Sequence, residues 1–281
     1  MVLLEECAAA LDDVVGLFGG SSCVPTWSAC QPTRAPDRRP ARDPERLRRV
    51  VCGCAQSVQA GRGATCAEQT RVGKGTEVMG KVRTGHATSL DGFIAGPNDG
   101  PEAPMGEGGE RLLGWYFGGD TEYRLPGTEM VFKVAPQTAE LLRETRTTTG
   151  ALVTGRRTFD LTHGWGGRHP LDVPVFVVTH QASPEWVSEG SPFTFVRDGL
   201  ESAVAQAKAA AGDKDVGVIG ANLEQQCIKA GLLDEIHLDL VPVILGGGVG
   251  LFDHLSSGPI ELERTRVIEG AGVTHLTFRV V

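Results

Sequence analysis

From Lys81 onward, short β-prone apolar runs alternate with stretches of helical character, and this alternation constrains the fold more than any other feature. Residues 82–90, 151–154, 173–179, 216–219 and 236–243 read as strands. Between them, 137–147, 200–211 and 221–230 read as helices. Leu141 and Leu142 mark the apolar face of the first helix, alanine dominates the second, and Gly212 and Gly231 stop the last two. Such alternation builds parallel strands covered by helices. The last β-prone segments, 260–268 and 273–281, have no helix between them, which predicts a closing antiparallel hairpin. The expected fold is α/β, one domain around a mixed, mostly parallel sheet of about seven or eight strands. Residues 96–128 are expected to form a long loop with Trp115, Tyr116 and Phe117 in its middle; loops of that length are functional or disordered, and clustered aromatics favour function.

The pattern begins only near Met79. Before it lies a Pro- and Arg-rich stretch with no amphipathic period, which cannot bury enough apolar surface to offset its ordering entropy. Residues 1–78 are therefore expected to be a disordered extension, or a non-native one preceding a start at Met79. Cys7, Cys23, Cys30, Cys52, Cys54 and Cys66 fall in this stretch and only Cys227 beyond it. No histidine precedes His86 and the cysteines form no pair of CxxC knuckles, which disfavours zinc. With no secretory signal to suggest an oxidising compartment, free thiols are expected. A net charge of -8 provides no basic field for nucleic acid, and no apolar run is long enough to span a bilayer. A cytoplasmic protein acting on a small molecule is expected.

Three strand ends carry the chemistry. In Ala151-Leu-Val-Thr-Gly-Arg-Arg-Thr-Phe159 an apolar run stops at Thr154 and Gly155, and Arg156, Arg157 and Thr158 open the next helix. A helix N-terminus offers free N–H groups and a positive dipole end, and two guanidiniums add charge that suits a phosphate. The same residues also fit a plain βα turn with solvated arginines. The second end is Thr179-His180-Gln181, after a buried strand, and the third is Gly220-Ala221-Asn222-Leu223, where a strand opens directly into a helix. Ligands of open α/β sheets gather at the carboxyl ends of strands, and three such ends are what a dinucleotide requires. No Gly-x-Gly-x-x-Gly follows the first strand, so an ordinary Rossmann domain is disfavoured.

The order of these pieces resembles the dihydrofolate reductase superfamily, and within it the reductase domain of the bifunctional deaminase-reductase of riboflavin biosynthesis. The resemblance covers residues 81–281. It rests on Ala87-Thr-Ser-Leu-Asp-Gly-Phe-Ile-Ala95, Thr154-Gly-Arg-Arg-Thr-Phe159 and Val177-Val-Thr-His180, and most strongly on the run from Gly220 to Leu238 continued by Val241-Pro-Val-Ile-Leu-Gly-Gly-Gly-Val-Gly-Leu-Phe252. It implies a three-layer α/β/α fold and NADPH-dependent reduction, in the named family reaction of the ribosyl group of 5-amino-6-(5-phosphoribosylamino)uracil. By similarity, Thr154, Gly155, Arg156, Arg157 and Thr158 line the phosphate side, and Thr179, His180 and Gln181 sit by the adenosine 2′-phosphate. Gly220, Ala221, Asn222 and Leu223 receive the pyrophosphate; Ala221 stands where relatives often carry a second glycine. The resemblance also hints at a homodimer.

Asp91, at the end of the first strand, is the expected catalytic or substrate-contacting residue; a plain turn residue is its other reading. Only Glu140 could stand for the pterin-binding carboxylate of dihydrofolate reductase, out of register, which argues against folate. Reduction of a pterin or folate, and a non-catalytic NADPH-binding protein, remain the alternatives. Gly246–Gly248 is expected to be a turn, His163 and His169 loop residues, and His237 and Asp239 the polar face of a strand. Arg124 and Arg168 are candidates for a substrate phosphate. The His-x-Glu and Pro-Cys-x-x-Cys signature of the zinc deaminases is missing, so no deamination is expected.

Overall fold

The computed structural model describes residues 80–125, 128, 130–255 and 258–281. The first strand, β1 (Val82–Thr88), stops where the chain folds back at Ser89, whose hydroxyl accepts the Phe93 N–H. Gly92 takes φ 90 in this turn, and β2 (Phe93–Ala95) follows. The expected strand 82–90 therefore runs past a turn. A 3₁₀ segment, Gly109–Phe117, and the hairpin of β3 (Thr121–Arg124) and β4 (Val131–Val134) come next, then α1 (Pro136–Thr148), β5 (Thr149–Gly155) and α2 (Arg156–Leu161). A second 3₁₀ stretch, His163–Gly167, leads to β6 (Val175–Val178), β7 (Phe193–Val196) and α3 (Leu200–Ala211). The chain closes with β8 (Asp215–Ile219), α4 (Ala221–Lys229), β9 (Glu235–Leu240), β10 (Val249–Gly250), β11 (Leu262–Gly270) and β12 (Val273–Val280).

Eight strands form the central sheet in the order β11-β12-β9-β1-β8-β5-β6-β7. The strands from β9 to β7 run parallel, while β12 is antiparallel to β9 and to β11. This is the expected mixed, mostly parallel sheet with a C-terminal hairpin.

Alternation along the strands feeds two layers. Ala151 and Val153 of β5 and Phe176 of β6 face α3 and α4, whereas Leu152, Val175 and Val177 face Phe159 of α2 on the other side. In α3, Leu200, Ala203, Val204, Ala207 and Ala211 are buried, the i, i+3, i+4 stripe of a helix lying on a sheet. The small alanines let it lie close: a Cβ on Gly150 would come within 2.8 Å of the Ala211 Cα. On the opposite layer, Leu112, Trp115, Phe132, Ala139 and Val273 join the first 3₁₀ segment, the β3–β4 hairpin and α1 to the sheet.

Two local expectations are corrected. Residues 96–128 are not one loop: Trp115 is buried, and β3 pairs with β4 through Tyr123 and Phe132. Abundant glycine masks a hairpin whose strands are only a few residues long and gain their stability from the packing beneath them. Likewise β7, four residues after Pro192, is an edge strand that propensity alone did not mark. The expected extension 1–78, with its cysteines, lies outside the described residues. Cys227 is free and buried, and burial pushes its thiol up to about 12. Among the described residues no helix is long and apolar enough to cross a membrane.

Residues 163–166 all have positive φ, so the chain makes a left-handed turn through His163 and Trp165 as well as two glycines. The non-glycine positions carry a steric cost there. Packing holds them: His163 stacks on Trp186, and Trp165 meets the fully buried Phe159. Phe159→Ala is expected to cost about 3–5 kcal/mol, the range for truncating a buried aromatic. A urea midpoint equal to that of the wild type would show that Phe159 does not anchor this layer.

Candidate functional site

A cleft of about 1180 Å³ opens at the carboxyl ends of β1, β5, β6 and β8. Two βα junctions form its phosphate-sized end. The N-terminus of α2 follows Gly155 and that of α4 follows Gly220, and neither has a side-chain cap, so their first N–H groups are unclaimed by side chains. Gly220 has φ 112, and a Cβ there would lie 2.9 Å from the Thr158 hydroxyl. The two junctions therefore touch, and only glycine lets them do so. Gly155 differs: its φ of -83 is open to any residue, and a Cβ there would meet Leu223 only at ordinary van der Waals distance, 3.6 Å.

The two arginines differ. Arg156 donates from Nε to both carboxylate oxygens of Asp160 at 2.9 Å and from Nη1 to the Ala182 carbonyl, which draws it toward the Thr179–His180 end. Arg157 is 63% exposed and pairs with Asp99 at 2.6 Å. Exposed pairs of this kind contribute about 1 kcal/mol or less, so a phosphate can displace the carboxylates at small cost. Thr158, Thr179, His180, Ala221, Asn222 and Leu223 also line the cleft.

Thr154 and Gln181 do not line it. Thr154 is fully buried and its hydroxyl donates to the Ile219 carbonyl, while the Gln181 N–H donates to the Thr179 hydroxyl. Asp91 does not line it either. Its exposed carboxylate accepts N–H groups of Leu245 and Gly246 at 3.1 and 2.7 Å, and the Ser89 hydroxyl foremost, with these amides, holds it below the usual carboxylate range. Asp91 thus serves the Gly246–Gly248 turn, because the turn after β1 points its side chain at that backbone. Glu140 is exposed on α1, Arg168 pairs with Asp172 on the surface, and Arg124 lies on β3.

Three features were not anticipated. His86 of β1 lines the cleft, and its Nε2 lies 2.5 Å from Oε1 of the wholly buried Glu224 of α4. Burial works against the imidazolium, but the charge and hydrogen bond of Glu224 more than offset it, so the His86 pKa is raised. A carboxylate beside Leu223 on the buried stripe of α4 was the signal available in the sequence. Secondly, Asp239 Oδ1 lies 2.6 Å from His275 Nδ1, and His275 Nε2 lies 2.9 Å from the Thr138 hydroxyl, a chain tying β9, β12 and α1. Asp239 is therefore more than the polar face of a strand. Thirdly, a second cavity of about 380 Å³ lies against α1, lined by Asp239, His275, Trp115 and Trp165. Tyr116 lines both cavities, and burial foremost pushes its phenol above the ordinary value, so it stays neutral. The Thr84 hydroxyl and the Trp115 indole N–H face no partner although buried, and both residues line the second cavity.

Comparison with known families gives one match: the family described as the RibD C-terminal domain covers residues 81–274. The chain belongs to the RibD C-terminal domain family. A comparison with curated proteins returns no match. Among solved structures, this RibD C-terminal domain is similar to a protein ascribed to riboflavin biosynthesis from Shewanella sp. PV-4. The two are 21% identical with a TM-score of 0.53, over 72% of this chain and 99% of that one. A pyrimidine reductase-like protein from Corynebacterium diphtheriae matches at 15% identity and a TM-score of 0.45, over 72% of this chain and 92% of that one. The deaminase/5-amino-6-(5-phosphoribosylamino)uracil reductase of Thermotoga maritima matches at 14% identity and a TM-score of 0.47, over 73% of this chain and 58% of that one. The RibD C-terminal domain here thus spans little more than half of that bifunctional protein.

The raised His86 pKa has a consequence for stability. A group whose pKa is higher in the folded state stabilises fully below its unfolded pKa, about 6.5 for histidine, and that contribution is lost as pH rises through the folded value. The unfolding free energy should therefore decline above neutral pH, and the decline should shrink in His86→Gln. Parallel pH–stability curves for the two proteins would remove the pair as its source.

Proposed function

We propose that this chain is an NADPH-dependent oxidoreductase of the riboflavin-pathway type, reducing a small heterocyclic or ribosylamino substrate in the cytoplasm. The observation that carries the reading is the convergence of the two uncapped helix N-termini after Gly155 and Gly220 with Arg156 and Arg157 on one cleft. The fit to NADPH rests on this chain's own residues. The bare Gly220–Thr158 contact leaves backbone amides open to a diphosphate, and a Cβ would fill that approach. Arg157 and Thr158 then hold the diphosphate with Gly220, Ala221, Asn222 and Leu223. Arg156, Thr179 and His180 take the adenosine 2′-phosphate, since Arg156 is drawn to that end by the Ala182 carbonyl. Family membership and the fold match support the same reading.

When bound, NADPH supplies a hydride to an electrophilic carbon. The protein's part is to orient the two molecules and exclude water. Ala87, Ile94, Leu113 and Tyr116 give the inner end of the cleft an apolar wall suited to a nicotinamide. In this reading the second cavity behind Tyr116 takes the substrate. The unpartnered Thr84 hydroxyl and Trp115 N–H meet a heterocycle's polar edge, and Asp239, oriented by His275 and Thr138, accepts from its ring or amino N–H groups. The exposed position of Glu140 weighs against a folate carried in the manner of dihydrofolate reductase.

Loss of the NADPH absorbance band on adding the ribosylaminouracil tests the reaction. Tight NADPH binding with no turnover on pyrimidine, pterin and quinone panels would replace the enzyme by a binding module. Arg156→Ala is expected to weaken NADPH about ten-fold or more while NADH changes little, the loss of one charge-assisted contact to the 2′-phosphate. Arg157→Ala should weaken both cofactors alike. Titration of each variant with each cofactor checks this, and a reversed pattern would exchange the two arginines' roles.

A further inference from the structure

The His86–Glu224 pair is deeper than any surface contact of the cleft. Glu224 is fully buried and its second oxygen, Oε2, has no partner, so the carboxylate depends on His86 alone for side-chain compensation. An isolated buried carboxylate is too costly to persist, so at a separation of 2.5 Å the two groups share a proton. With that proton on Nε2 the ring is an imidazolium. With it on Glu224, Nε2 accepts it and the ring's own hydrogen sits on Nδ1. Either way Nδ1 carries a hydrogen. Loss of one proton from the pair, the one on Nδ1, leaves Nε2–H facing the carboxylate and turns Nδ1 into an acceptor. Nδ1 has no hydrogen-bond partner among the described residues, and His86 lines the cleft. The Gly220 N–H lies 3.4 Å from Nε2. A ring nitrogen occupied by the shared proton cannot accept from it, so that amide stays available to a ligand.

We propose that His86 is a binding residue for the anionic diphosphate of the cofactor, and that Glu224 is the positioning residue that keeps its Nδ1 a donor. The inference rests on the reading that this cleft takes NADPH. Charged and titratable groups surround the pair from several elements. Glu224 acts on it from α4 and Asp239 from β9, while Tyr116, Asp99, Arg156, Arg157, His180, Glu201 and Lys229 lie on the same cleft. The carboxylates favour the protonated ring, and the raised His86 pKa agrees with that balance. An anion arriving at Nδ1 favours it further, so cofactor binding takes up a proton where His86 is part-neutral.

Calorimetric titration of NADPH into the full chain, in two buffers of different ionisation enthalpy at about pH 8, reads that uptake, because there the cofactor's 2′-phosphate is already ionised. The wild type should take up a measurable fraction of a proton and lose affinity several-fold as pH rises through the raised His86 pKa, through the loss of the donor at Nδ1. His86→Gln should take up less and lose less with pH, the remainder belonging to His180 at the same cleft. Glu224→Gln, which cannot hold the imidazolium, should move the wild-type inflection to lower pH. Nitrogen-15 spectra of the wild-type imidazoles provide a second readout that needs no variant: His86 Nδ1 should carry its hydrogen just above the pH at which an ordinary imidazole becomes neutral. NADPH binding with identical pH profiles and proton uptake in wild type and His86→Gln, or a His86 Nδ1 without its hydrogen at that pH, overturns the inference alone. A folded wild-type protein that binds no NADPH at any pH overturns the cofactor reading itself.

Discussion

The buried hydroxyl of Thr154 donates to the carbonyl of Ile219, and this bond joins β5 to β8 at the point where both strands end. The site depends on it. α2 leaves β5 one residue later, and α4 leaves β8 just past Gly220. If the strand ends parted, the helix N-termini would no longer share a cleft, and Thr158 would lose its contact with the Gly220 backbone. A residue expected to touch the ligand thus acts one layer beneath it. Its burial between two parallel strands makes it a fastener, since a free hydroxyl there would go unsatisfied.

The centre of the sheet was legible because β5 and β6 are buried on both faces. Ala151 to Val153 and Val175 to Val177 are continuous apolar runs that only a covered parallel strand requires. The helices were legible from glycine stops and small-residue stripes. The β3–β4 hairpin and β7 were not, because four-residue strands at an edge owe their existence to what they pack on. The site divides along the same line. Backbone junctions such as Gly155–Thr158 and Gly220–Leu223 are local in sequence, so their role can be read from a few adjacent residues. His86 with Glu224, and Asp239 with His275 and Thr138, join residues far apart in the chain through the sheet order, and no short stretch contains them.

Asp91 illustrates the limit of reading a position without its geometry. It lies in the turn between β1 and β2, and its carboxylate turns to the amides of Leu245 and Gly246. Those amides start the glycine turn, where Gly248 passes so close to β2 that a Cβ would meet the Ala95 carbonyl at 2.0 Å. An acidic side chain satisfying two backbone donors stabilises that close approach. What this carboxylate accepts from is the protein's own backbone, as its reading as a turn residue has it.

Tyr116 forms part of the wall of both cavities, stacked on Trp115 with ring centroids 3.8 Å apart. A partition shared in this way makes the two compartments thermodynamically communicating vessels. Any molecule that shifts the Tyr116 ring from one side alters the space offered on the other. The resulting change in affinity is the same factor in both directions. Coupling of this kind belongs to the pair of compartments, with a single aromatic ring as the element between them.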